Sequence, residues 1–205
     1  MSRMPLVAAT CVLFIGQALA QDRLPTIPPE KYDAAQKTAA EEFLAVRKAP
    51  LSGPFQSLMY SPELMTRTRA MGDYLRFKSA IGNTLSELVI LVTAREWSQD
   101  YEWSVHYPIA IKAGIRPDIA EAIADGRRPG GMNDDEAMVY DFAVEVLRYK
   151  RVSDATFERV EKRFGRVGVV DLVGITGYYT LLAMELNVAR FPAPNGSTPL
   201  PRFPD

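Results

Sequence analysis

The stretch TLSELVILVTAREWSQDYEWSVHYPIAIKAG, Thr84 to Gly114, decides how the rest of this chain is read. Thr84 followed three residues later by Glu87 has the form of a capping box, and the run Leu85 to Trp97 behind it is largely apolar. Ser98 is placed to cap a second helix that runs to about Ala113 and stops at Gly114, a residue suited to the left-handed backbone of a helix end. Two helices with barely a break between them are expected. On the second, Gln99, Glu102 and His106 stand at i, i+3 and i+7, which at ~100° per residue keeps them within an arc of roughly 60°. Glu102 and His106 are one turn apart, about 6 Å along the axis, so the carboxylate can orient or charge-stabilise the imidazole. Glu87 has two readings, as the reciprocal partner of Thr84 in the cap or as a second carboxylate facing the same site across the helix pair. A carboxylate–imidazole pair suits proton transfer near neutral pH, because histidine titrates near ~6.5 when unperturbed. The same spacing also occurs in plain surface pairs, so spacing alone leaves the function undecided.

Working outward, most of the chain reads as helices joined by short loops. Pro28-Pro29 opens a stretch to about Lys48, and Ala49 to Pro54 (APLSGP) breaks it. Gly53-Pro54-Phe55 is either a loop folded over the site or a simple connector. Ser61 and Pro62 start a helix to about Phe77, and Pro117-Asp118 a short one ending at Gly126. Asn133 to Glu136 is another capping box, leading through Tyr149, and Ser153 caps a helix to Phe164. Val167 to Val188 carries Gly168, Gly174 and Gly177 among valines and is compatible with strand. Helix is the expectation, since apolar residues fill its length without hairpin turn signals. The proline-rich tail from Phe191 has no periodicity and is expected to be an extended or disordered arm.

The first twenty residues have the layout of a secretory signal: Arg3, then an apolar stretch from Met4 to Gly16, then Ala18-Leu19-Ala20 ahead of Gln21. Export to the periplasm or medium is the expectation, with one domain over 21–194 and a tail over 195–205. The chain's single cysteine, Cys11, lies in that leader, so its removal excludes disulfides, thiolate metal sites and cysteine nucleophiles. Taking Arg3 from the 24 basic residues leaves 23 against 25 acidic ones, a net charge of −2, which argues against a nucleic-acid partner. Nothing after the leader is expected to span a membrane. With one histidine, the usual multi-histidine metal sites are ruled out.

Glu87, then Ala94-Arg95-x-Trp97, then Tyr101-Glu102-Trp103-x-x-His106, followed by Ala113-Gly114-Ile115, resembles the carboxymuconolactone decarboxylase family, related to alkyl hydroperoxidase D. The likeness extends over about Gly53 to Pro194 and includes Leu172-Val173-x-x-Thr176-Gly177-Tyr178-Tyr179. It implies an all-α fold built around a helical hairpin, assembled as a trimer or hexamer. In the peroxidase branch the matching segment has a relay glutamate, two cysteines and a histidine. Glu87 and His106 match the first and last, while Gln99 and Glu102 stand where the cysteines would be, so hydroperoxide reduction is not inherited. Glu102-x-x-x-His106 instead is similar to the decarboxylase branch, which works without metal or organic cofactor, so the resemblance implies none here. The expected activity is that of a lyase or isomerase acting on a small organic acid or lactone. His106 would act as acid/base, with Glu102 orienting it and Glu87 relaying or balancing charge. Gln99, Arg95, Tyr101 and Trp103 are the candidates for substrate contact, against packing for the aromatics and a solvated helix end for Arg95. Arg67, Arg69 and Arg76 are weaker carboxylate-binding candidates. The rival reading is a non-catalytic oligomeric binding or scaffold protein, with His106 pointing to solvent.

Overall fold

The computed structural model describes residues 22–202; the leader, with Cys11 and the Ala18-Leu19-Ala20 site, lies outside them. Eight α-helices follow a short 3₁₀ turn at Pro29–Lys31, and no strand occurs among the described residues. They are α1 (Ala34–Arg47), α2 (Pro54–Leu58), α3 (Pro62–Phe77), α4 (Asn83–Glu96), α5 (Asp100–Ala113), α6 (Pro117–Ala124), α7 (Asp134–Tyr149) and α8 (Asp154–Ala189).

The α4 helix is the axis of the fold. Every residue from Leu85 to Arg95 is buried, because the sequence is apolar on all sides and α3, α5, α6, α7 and α8 surround it. The hairpin with α5 is clasped at its open end, where the Thr84 hydroxyl donates to the Ala113 carbonyl at 2.7 Å. That bond overturns the capping-box reading of Thr84. Gly82 occupies the N-cap position of α4 without a side-chain cap, and the Glu87 carboxylate is left for other work. Nor does Ser98 cap α5; the Gln99 side chain does, accepting from the Tyr101 amide at 2.7 Å. The box Asn133–Glu136 caps α7 and the Ser153 side chain, accepting from the Thr156 amide, caps α8, as the sequence suggests. A further box, Asp33 with Gln36, starts α1.

Val167 to Val188 is helical. It forms the longer part of α8, joined to the Asp154–Phe164 part at Gly165, whose φ of 68° and ψ of 178° make the kink. Contrary to expectation, α8 contains a window apolar enough to cross a membrane by composition, but 56% of that window is buried against the rest of the domain, as in a core helix. The α3 helix reaches α8 at Gly72, where an added Cβ would stand 2.2 Å from the Tyr178 hydroxyl, so a residue without a side chain is required there. The tail is extended but docked rather than loose. The Leu200 amide donates to Asp100 Oδ1 at 2.8 Å, Arg202 pairs with Asp100, and Phe191 packs edge-on against Tyr101.

Candidate active site

His106 sits in the second half of the first two turns of α5 and points back at α4. Its Nδ1 lies 2.7 Å from Glu87 Oε2. The other oxygen of Glu87 is 3.4 Å from Arg76 Nη2 on α3. A carboxylate only accepts, so completing this short contact requires the hydrogen on Nδ1, which leaves Nε2 of the neutral ring with its lone pair free. On that side stand Tyr179 Oη at 3.3 Å and Glu102 Oε2 at 3.5 Å. The Tyr179 ring meets the imidazole edge-on, with centroids 5.1 Å apart. Glu87 is wholly buried, and Glu102 and His106 are 3% and 4% exposed, so none of this is a surface ion pair.

The two glutamates meet different nitrogens of the ring. Glu87, reached across the hairpin, makes the short bond to Nδ1, whereas Glu102 stands beside Nε2 and lines the cavity. Burial raises the Glu102 carboxyl above the ordinary carboxylate value, opposed by the nearby His106 and Arg76 charges. Desolvation likewise raises both Tyr179 and Tyr178, keeping their phenols protonated. The ring therefore has an acceptor at Nδ1 and, beside Nε2, a phenol able to donate a hydrogen bond and a carboxyl whose burial favours its protonated form.

His106, Glu102 and Tyr179 border a cavity of about 350 Å³, whose wall also includes Phe55, Phe77, Tyr101, Val105 and Leu182. Pro54 and Phe55, on α2, form one wall, so Gly53-Pro54-Phe55 does fold over the site. Gly53 has φ 57° and gives way to the Tyr101 ring, which an added Cβ would meet at 2.5 Å. Two guanidinium groups, Arg47 and Arg76, reach the same cavity.

His106, Glu102, Glu87 and Tyr101 are thus brought together. Three expected contact residues are not. Gln99 lies at the helix cap with its amide donating to Asn187 Oδ1 at 2.8 Å, turned from the cavity by the capping bond. Trp103 is packed in the core beside Tyr107, about 100° around α5 from Glu102. Arg95 is buried at the far end of α4, some ~12 Å along the helix from Glu87, with Nη1 donating to Ser98 Oγ at 3.4 Å. Of the weaker arginines, Arg67 pairs with Glu63 and Arg69 with Asp73, and only Arg76 enters the site. Tyr179 was visible only within a resembling segment, and Arg47 not at all, since it lies at the end of α1, before that segment begins.

No family model matches the chain, and no curated protein matches it in sequence. Solved structures do match in fold. One is described as an alkylhydroperoxidase AhpD core, an uncharacterized peroxidase-related protein from Ralstonia eutropha JMP134. It is 20% identical with a TM-score of 0.70, over 84% of this chain and 92% of that one. Another is an uncharacterized peroxidase-related protein from Silicibacter sp. TM1040, 14% identical with a TM-score of 0.67, over 90% and 95% of the two chains. The all-helical fold of this protein is the alkylhydroperoxidase D-like one.

Proposed function

We propose that this protein is a cofactor-independent acid–base enzyme, a decarboxylating lyase or an isomerase, acting on a small organic acid or lactone. The observation that supports it is the buried Glu87–His106 pair, with Nε2 set between Glu102 and Tyr179 at the wall of a cavity. In this reading Glu87 holds the ring and balances the charge that it gains, and Nε2 takes or gives the proton. For a decarboxylation, the bond to the leaving carboxylate breaks, carbon dioxide departs, and the electron pair stays on carbon, delocalised into an adjacent carbonyl. A proton from the imidazolium, or from Glu102 through it, then completes the carbon. Isomerisation uses the same groups, with the proton removed from one atom and returned to another. Proton transfer by a positioned group is worth about 10²–10⁴ in rate.

The likeness of Glu102-x-x-x-His106 to the decarboxylase branch favours this reading over thiol chemistry, and the described residues include no cysteine to carry a peroxidatic thiol. A scaffold that lost its chemistry has no need of a histidine buried with two glutamates at a cavity. We further propose that the protein works after export, without its leader, as a homo-oligomer. The test is a screen of small carboxylic acids and lactones with the wild type and His106→Gln. Turnover by the wild type should fall by roughly 10²–10⁴ in the variant while its fold is retained. Turnover untouched by the substitution would place the chemistry elsewhere.

A further inference from the structure

Arg47, in the cavity wall, shares its carboxylate partner with a second guanidinium group. Arg47 Nε lies 2.7 Å from Asp73 Oδ1, but Arg69 Nη1 is 2.8 Å from Oδ2 of the same carboxylate. One aspartate thus serves two guanidinium groups. Arg47 Nη2 is buried and makes no hydrogen bond, and Arg76 Nε is in the same condition although its Nη2 leans on Glu87. Both cations are held in place by stacking: Arg47 lies over the rings of Phe43 and Phe55, at 5.8 and 5.3 Å, and Arg76 over Phe77 at 5.0 Å. Buried donors are ordinarily paired, and a fixed guanidinium fork is shaped to receive the two oxygens of a carboxylate.

We propose that Arg47, assisted by Arg76, is the carboxylate anchor of this cavity, and that the ligand is a compact planar or apolar acid held as its anion. The charged end lies on Arg47, the body between Phe55, Phe77, Val105 and Leu182, and the opposite end at Nε2 of His106. At ~30 Å³ for each heavy atom, the volume a water takes in the liquid, 350 Å³ admits about a dozen heavy atoms. A neutral lactone without an acid group leaves Arg47 unserved and is a poorer ligand. The assignment rests on the acid–base reading for what happens at the far end of the ligand, but not for binding.

The chain has one histidine, so the His106 ring resonances report on the cavity without assignment. Benzoate and its neutral analogue benzamide are titrated into the full-length mature protein at pH 7, following those resonances. Benzoate should saturate them, with benzamide at least about tenfold weaker. Arg47→Gln should bring benzoate down to the level of benzamide, and Arg47→Lys, which keeps the charge and guards against a folding artefact, should retain part of the preference. Equal binding of the two probes, unchanged benzoate binding in a folded Arg47→Gln, or no benzoate binding up to about 10 mM overturns the anchor. His106→Gln, followed by calorimetry, should still bind benzoate. Absent benzoate binding beside His106-dependent turnover sinks the anchor alone, whereas Arg47-dependent binding without any His106-dependent turnover sinks the acid–base reading alone.

Discussion

Glu185 shows at the scale of one residue how this domain tolerates unpaired acid groups. It lies on α8 with both carboxylate oxygens buried and without a well-formed hydrogen bond, and the neighbouring Ser57 hydroxyl offsets only part of that burial. Burial raises its carboxyl to about 7, with Glu102 and Asp22 adding repulsion. The folded state therefore holds this proton more tightly than the unfolded chain, whose ordinary value is 4.5. The associated stability is fully present below that value and is lost as pH rises, the loss being complete above about 7. Glu102 pulls in the same direction. Glu185→Gln, which carries no charge to desolvate, should be more stable than the wild type at pH 8 by on the order of 1 kcal/mol, after discounting for partial solvation. At pH 4 the two should converge. Urea midpoints at the two pH values check this, and parallel curves for both proteins would show that Glu185 ionises freely.

At the scale of the element, helices whose ends are written in side chains were legible, and ends set by tertiary contacts were not. Asn133 with Glu136 and Ser153 with Thr156 carry their caps locally, and both helices start where the sequence places them. Thr84 and Glu87 have the same lettering, yet Thr84 is taken by the Ala113 carbonyl and Glu87 by His106, both across the hairpin. No local pattern distinguishes those outcomes, because each partner lies 19 residues or more away in sequence. The valine-rich run of α8 was ambiguous for another reason: β-branched residues also suit a strand, and the contact that its glycines permit, Leu75 against Gly174, is made with a distant helix. The i, i+3, i+7 face of α5 correctly joined Glu102 to His106 but included Gln99, whose side chain is spent on the helix cap. Tyr179 and Arg47 enter the cavity from α8 and α1, 73 and 59 residues from His106. Periodicity within one helix cannot reach so far.

At the scale of the whole molecule, the long helix leaves an apolar stripe facing outward. Val167, Val170, Val173, Met184 and Val188 are all exposed, at 62, 67, 50, 40 and 63%. Such a face suits a two-fold contact between copies, which is isologous by symmetry. The proposed oligomer is accordingly expected to use it. Light scattering at micromolar concentration should give a multiple of the chain mass, and Val170→Glu should lower that mass while the helical content is kept. A monomeric wild type would remove the oligomer from the account.

The central claim is that Glu87 fixes the His106 ring so that Nε2 is the working atom. It is tested most directly by the ¹⁵N spectrum of the single imidazole, recorded where the ring is neutral. The account predicts that the hydrogen resides on Nδ1, with Nε2 unprotonated, and that Glu87→Gln disturbs this tautomer preference. A ring with its hydrogen mainly on Nε2, or one indifferent to Glu87→Gln, would contradict it.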